Sequence, residues 1–419
     1  MTPVFPYIVQ HLQLRYSQNF SFPEIDSSGY YCVCWWDDTP LGHFFFEKGE
    51  TAKEADIKQK IAAAIKPTVE FYMKQTTTEK SDEALQTAFK NFNFQVALDK
   101  VFKEIIILPA GNKSVDISVV ICTRNRTNYL RRCIDSLLQQ KYQPAEIIVV
   151  DNAPSDDSTE ELVKQYNKVV YCRELVAGLD RARNAGACVA KYSIVAYTDD
   201  DVLLHPLWTY QVWKTFQDPD VAAMTGLVIA KDLHTQSQQI FEKFWSFNRG
   251  YIDKAFNDIF FQRTLPDGPP VWEIGAGANM AFRKKVLKEL HFFDLRLDVG
   301  AAGCSGDSEM WFRILSAGYK IHYNPRAICY HDHRKEMKAL QRQLFYYMRG
   351  YTVAALIQQD AVKEAKYRKL LLGRLPKYYF RLFVRGFLRK DLRHTTLWSE
   401  VRGIFSGWLY YKKHKNTRA

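Results

Sequence analysis

The sequence contains no Cys-x-x-Cys pair, which removes zinc ribbons and thioredoxin-type redox chemistry. Its eight cysteines, at 32, 34, 122, 133, 172, 188, 304 and 329, are too sparse for a disulfide scaffold. No Gly-x-x-x-x-Gly-Lys phosphate loop occurs. Long apolar runs are also missing. The stretch Leu344 to Ile357 is interrupted by Arg349, well short of the roughly 20 residues a membrane span needs. Met1 to Tyr16 has no basic, apolar leader pattern, so no cleaved signal is expected and the body reads as cytoplasmic. Acid is scarce in one place. Residues 361–419 hold 16 Lys or Arg and 3 Asp or Glu, within a chain of 419 residues whose totals are 58 and 46. The net charge of +12 therefore belongs to a basic tail on a near-neutral body. A nucleic-acid-coating protein would spread that charge over its surface, so no nucleic-acid partner is expected.

What is present is the composition of a folded protein, 47% hydrophobic and 25% charged, long enough for roughly two to four domains. Residues 1–113 read as a small N-terminal α/β accessory domain. Tyr30–Trp36 and Leu41–Phe46 are strand-like around the turn Asp37-Asp38-Thr39-Pro40, and Ala52–Lys74 and Glu83–Phe102 are helical. Asp37 and Asp38 are read as turn residues, and Pro109–Asn112 as a linker. The rhythm then changes. Ile117–Ile121, Ile147–Val150, Val169–Cys172 and Ser193–Tyr197 are short apolar runs, expected as strands buried on both faces of a parallel sheet. Leu130, Ile134, Leu137 and Leu138 give the helix between the first two, completing a right-handed βαβ unit. Ligands in such sheets bind beyond the carboxyl ends of the strands.

Three of those strand ends carry polar groups: Cys122-Thr123-Arg124-Asn125-Arg126, then Asp151 through Ser158, then Thr198-Asp199-Asp200-Asp201. A loop or helix cap explains any one of them, with Ser155 or Asp157 as N-cap. Three consecutive acids repel, and a divalent cation would neutralise them. Oxygen ligands point to Mn²⁺ or Mg²⁺. With few protein ligands and no phosphate loop, a substrate's own phosphates would complete the shell.

Val119 to Arg126, Glu146 to Asp151 and the Asp199–Asp201 triplet resemble the family 2 glycosyltransferases, of the inverting, bacterial cell-surface glycan type. The likeness continues through Gly178 to Gly186, Gly277 to Arg283, Phe293-Asp294, Gly306-Asp307-Ser308-Glu309, Ala317-Gly318-Tyr319 and Tyr330 to Arg334. It covers roughly residues 114–340 in the family's order. The resemblance implies a GT-A fold, Rossmann-like with a mostly parallel sheet, over 114–340. It implies donor contacts from Asp151 to the base of a nucleotide-sugar, usually uracil, with Thr123 and Arg126 lining the nucleotide pocket. Arg183 would approach the diphosphate, and Asp199 and Asp200 would serve ribose and metal. Asp201 would be the direct metal ligand together with His331, with His333 as competitor. Asp307 would be the general base, Glu309 a second candidate, and Asn279 and Glu309 would lie on the acceptor side. Gly306 stands where the family has Glu, and Asn152 where an acid is common.

Residues 341–419 are expected to form a basic amphipathic helical region. Lys377, Arg381, Arg385, Arg389 and Arg393 recur at a step of four, interleaved with Tyr379, Phe380, Leu382, Phe383 and Phe387. A helix packed on the body and a helix lying on an anionic membrane both fit this pattern. The expected protein is thus a metal-dependent hexosyltransferase using a nucleotide-sugar donor and a glycan or lipid-linked acceptor, peripheral on the inner face of the cell membrane. A sugar-phosphate nucleotidyltransferase, or an inactive membrane-associated scaffold, are the alternatives.

Overall fold

The computed structural model describes residues 6–16, 27–50, 53–76, 93–102, 113–389 and 392–415, with a few single positions between them. The expected linker at 109–112, and residues 83–86, 88–90 and 92 of the second expected helix, lie outside the described residues.

The chain opens with β1 (Tyr7–Gln13), β2 (Gly29–Trp36) and β3 (Thr39–Phe46) in one small sheet. The expected hairpin is present, with Asp37 at φ 49 in its two-residue turn. The apolar alternation of β2 serves two cores at once. Tyr30, Cys32, Cys34 and Trp36 pack on the helices Glu54–Thr76 and Phe94–Phe102, while Tyr31, Val33 and Trp35 join the core around the main sheet. The strand β1 had no sequence signal that we read; it pairs in parallel with β2.

The main sheet contains β4 (Lys113–Thr123), β5 (Tyr142–Asn152), β6 (Val169–Glu174), β7 (Ile194–Asp199), β8 (Val202–Leu204), β9 (Val221–Ala230), β10 (Lys254–Phe256), β11 (Asn279–Arg283) and β12 (Lys320–His331). Along the sheet the order is β6-β5-β4-β7-β11-β9-β12-β10. The strands β6, β5, β4 and β7 are parallel neighbours, β9 and β12 pair in parallel, and β11 runs antiparallel between β7 and β9. This is the mostly parallel α/β sheet the resemblance implies. The apolar runs of β4, β5 and β7 are buried as expected. The expectation for β6 is corrected: it is an edge strand and leaves Val170 exposed.

After β12 the chain is helical: Met337–Ala361, a π-helical turn at Leu370–Arg374, Leu375–Arg389 and His394–His414. Helix His394–His414 crosses Met337–Ala361 closely because Gly403 and Gly407 face its backbone. A Cβ there would lie 2.3 Å from the Phe345 carbonyl and 2.5 Å from that of Arg349. The expected continuous stripe through Arg393 is broken. Arg393 precedes the last helix and is buried, its guanidinium paired with the Glu400 carboxylate and donating to Thr396.

Candidate active site

The register of the sheet assembles the acidic cluster. Parallel pairing sets Cys122 of β4 opposite Asp199 of β7, and Thr123 opposite Asp151 of β5. The short β8 returns antiparallel to β12 with Val202 opposite His331, and Asp332 N–H donates to the Asp201 carbonyl. One ligand atom each from Asp199, Asp201 and His331 thereby falls within 4.8 Å of the others.

Within the triplet the roles divide. Asp200 is spent on its neighbours: Thr123 Oγ1 donates to Oδ2 at 2.7 Å and Arg126 Nη1 to Oδ1 at 2.6 Å. Arg126 Nη2 reaches Asp201 Oδ2 at 2.9 Å, but Asp201 Oδ1 is buried with no hydrogen bond. His331 Nε2 lies 3.5 Å from that oxygen. Burial and the adjoining carboxylates raise Asp199 to about 6. Burial raises Asp200 to about 7 against the pull of Arg126. Burial also opposes charge on Asp201, but His331 and the guanidinium groups of Arg126 and Arg334 facing it favour the carboxylate and hold it below the ordinary range. His331 is pushed down to about 4 by burial, leaving a neutral imidazole. Two carboxylates, an orphaned buried oxygen and a neutral histidine suit Mn²⁺ or Mg²⁺.

His333 does not reach this cluster. Its Nδ1 is 3.0 Å from His331 Nδ1, and its Nε2 is 3.0 Å from Glu242 on the helix Gln236–Trp245.

A cavity of about 1360 Å³ runs from these strand ends to the C-terminal helices. Thr123, Arg126, Arg183, Asp199, Asp200, Asp201, His331 and Asp307 all line it. Arg183 and Asp307 converge on Gly277. A Cβ there would lie 2.7 Å from Arg183 Nη2 and 3.0 Å from Asp307 Oδ2, so any side chain at this position would displace both groups. Arg183 Nη1 donates to buried Asp180 at 2.9 Å. Burial lifts that carboxyl to about 7, Arg183 pulling the other way. Asp307 sits in the first turn of helix Gly306–Ser316, entered through Ser305 at φ 80, and its Oδ1 accepts from Ser308 N–H at 2.7 Å.

Three expected residues are elsewhere. Asp151 is fully buried, accepts from Tyr171 Oη at 2.9 Å and does not line the cavity. Its neighbour Asn152 does, and its amide bonds to Val176 O and Gly178 N at 2.8 Å each, fixing that loop against the end of β5. Asn279 is consumed by the sheet, accepting from Trp208 Nε1 and donating to the Leu227 and Ala327 carbonyls. Glu309 is buried in a bidentate pair with Arg313. Neither faces the cavity, so both are withdrawn from the acceptor side. The unusual Gly306 has a physical reason: a Cβ at that position would stand 2.1 Å from Asp180 Oδ2.

Sequence reasoning did not find Asp180, Asp298 or Glu242. Asp298 accepts from the N–H groups of Asp180 and Arg181, capping the helix Leu179–Val189 that carries Arg183. The contacts of Asp298 and Glu242 are long-range, with no local pattern to announce them, whereas Asp180 and Arg183 stand at helical i, i+3 spacing.

The profile of the glycosyl transferase family 2 matches residues 118–291. Glycosyltransferase GlyA of Streptococcus pneumoniae is 26% identical over 194 residues, 45% of this chain and 27% of that protein. The pre-mycofactocin glycosyltransferase of Mycobacterium tuberculosis is 25% identical over 241 residues, 57% of this chain and 47% of the relative. The chain thus spans less than half the length of these two relatives. Among solved structures, the mannosyltransferase PcManGT of Pyrobaculum calidifontis, in complex with GDP-Man and Mn²⁺, aligns over 78% of this chain and 98% of its own, at 18% identity and TM-score 0.46.

Proposed function

Taking residues 118–291 as a family 2 glycosyltransferase domain, we propose that the protein is an inverting transferase that moves a sugar from a nucleotide-sugar, with UDP-sugars first among the candidates. One observation carries this reading. The Asp199–Asp201–His331 cluster, Arg183 and Asp307 line one cavity. A divalent cation bound to that cluster would act as Lewis acid on the departing diphosphate. Arg183 is placed to meet phosphate charge, its guanidinium held in orientation by Asp180. Asp307 takes the acceptor hydroxyl's proton as the oxygen attacks the anomeric carbon. A single displacement inverts that carbon. The nucleotidyltransferase alternative lacks its glycine-rich loop: Thr123 and Arg126 after β4 are engaged with Asp200.

The division into an accessory domain at 1–113, a catalytic domain at 114–340 and a C-terminal region at 341–419 is part of the proposal. So is a location on the inner membrane face, where glycan or lipid-linked acceptors for cell-surface polysaccharide are met. Among the described residues no helix is long and apolar enough to cross a membrane. The C-terminal helices nevertheless carry exposed Leu372, Phe380, Phe383, Trp398, Phe405 and Leu409. Phe383 and Trp398 touch edge to face across the two helices. Lys377, Arg381, Arg385, Arg402 and Lys412 stand exposed among them. That mixture suits shallow seating on anionic lipid. Leu370, Leu375, Tyr378 and Tyr379 of the same segment line the cavity, so seating would bring its mouth to the lipid surface.

The test is a panel of UDP- and GDP-sugars, scored first by thermal shift and then by nucleotide release with Mn²⁺, with Mg²⁺ and with chelator. Metal-dependent release from one donor is expected; full release in chelator would sink the metal assignment. Flotation with anionic liposomes should fall when Lys377, Arg381 and Arg385 are changed to Gln. Unchanged flotation would remove the membrane role.

A further inference from the structure

Glu242 is buried on the helix Gln236–Trp245, and both its oxygens are occupied: Ser246 Oγ donates to Oε1 at 3.0 Å, and His333 Nε2 lies 3.0 Å from Oε2. A carboxylate only accepts hydrogen bonds, so His333 Nε2 carries hydrogen. His331 Nε2 faces Asp201 Oδ1 without making a hydrogen bond to it, which places the His331 hydrogen on Nδ1 and makes His333 Nδ1 the acceptor. The contact of 3.0 Å between its Nδ1 and that of His331 needs one donor, and His331 supplies it. His331 Nε2 is left with a lone pair, aimed at Asp201 Oδ1 at 3.5 Å. That oxygen is itself buried without a hydrogen bond. Two acceptors facing each other in a dry site repel, and a cation between them turns the repulsion into ligation. Aromatic rings hold the pair in place, Phe247 standing edge-on to His331 and Phe241 packing against His333.

We propose that Glu242 and His333 are a positioning pair that fixes the tautomer of His331, so that Nε2 of His331 is presented to a divalent cation shared with Asp199 and Asp201. The inference rests on the transferase reading for the presence of that cation. His333 is then no rival ligand: it sets the direction in which His331 binds.

The test uses the full chain without nucleotide, with Mn²⁺ affinity read from the free-ion EPR signal. His333→Phe keeps an aromatic filler but removes the acceptor, and should weaken Mn²⁺ binding about 10- to 100-fold. His333→Gln offers a carbonyl to His331 and an N–H to Glu242, and should stay within about threefold of wild type. A merely space-filling His333 predicts the reverse order, and that order would overturn the pair. Equal wild-type affinity in His333→Phe would do the same. Should the Phe variant not fold, long-range ¹H–¹⁵N spectra of histidine-labelled wild-type protein decide independently. The expected form of His331 is neutral with hydrogen on Nδ1, and hydrogen on Nε2 overturns the proposal. A wild type that binds no Mn²⁺ removes the cation from the inference together with the proposed metal dependence, while an Nε2–H His331 removes the positioning pair alone.

Discussion

Replacing Asp307 by Asn tests the proposed chemistry with little change of shape. The Asn carbonyl can keep the 2.7 Å bond from Ser308 N–H, and the amide takes the place of the oxygen beside Arg183 near Gly277. Arg183 retains Asp180, so its orientation survives the exchange. What disappears is the proton acceptor. General-base catalysis contributes about 10²- to 10⁴-fold. At 1.36 kcal/mol per tenfold, the barrier should rise by about 2.7 to 5.4 kcal/mol. Donor binding by thermal shift should match wild type, while donor-dependent nucleotide release falls to the rate set by cation and binding alone. Glu309 cannot take over, because it is buried against Arg313. Release within about tenfold of wild type would refute Asp307 as base. Attention would then move to Glu273, an exposed carboxylate on the same cavity.

Three further outcomes follow from contacts around the site. Gly306→Glu should not restore a family-like motif, since its Cβ would meet Asp180 at 2.1 Å. We expect a loss of about 1–3 kcal/mol in urea unfolding together with a smaller donor-induced thermal shift, and an active, stable variant would contradict the packing argument. Glu400→Gln removes the carboxylate that neutralises buried Arg393 and should cost about 3–5 kcal/mol by chemical denaturation. A neutral result would mean that Arg393 finds water. Asp253 holds Arg326, His322 and Tyr72 of the helix Glu54–Thr76 together; burial alone would raise it, but His322 and Arg326 hold it well below the usual carboxylate range. A depressed carboxyl contributes stability that is present above the unfolded value near pH 4 and lost as pH falls below it. Asp253→Asn should therefore lower stability at pH 7 and flatten the acid limb of a stability–pH profile. An unchanged acid limb would show that this carboxylate does not report folding.

The residues differ in how far sequence could place them, for physical reasons. Strands β4, β5 and β7 are legible because two-sided burial demands unbroken apolar runs, whereas β6, at an edge, reads as buried and is not. The acidic cluster is legible because three adjacent acids at a strand end are costly without a cation. Asn279 is not, since its partners Trp208, Leu227 and Ala327 come from distant strands and helices. Glu309 carried a usable signal, an Arg four residues on, which on a helix makes a pair. The choice between His331 and His333 depends on Glu242, 91 residues away from His333. The stripe ending at Arg393 fails because helical spacing says nothing about where one helix stops and the next begins.

On helix Gln236–Trp245, Glu242 turns toward the histidine pair while Lys243, the next residue, contacts Tyr7 Oη at 2.8 Å and Glu47 at 3.2 Å beside the N-terminal three-stranded sheet. A single peptide unit therefore separates the proposed support of the Asp199–Asp201–His331 cluster from the contact with the N-terminal sheet. For protein engineering this makes position 113 a poor place to cut. A chimera that exchanges residues 1–113 alone would leave Lys243 facing a foreign surface, one residue from the Glu242 support. Transplanting the module cleanly requires carrying its contact helix with it.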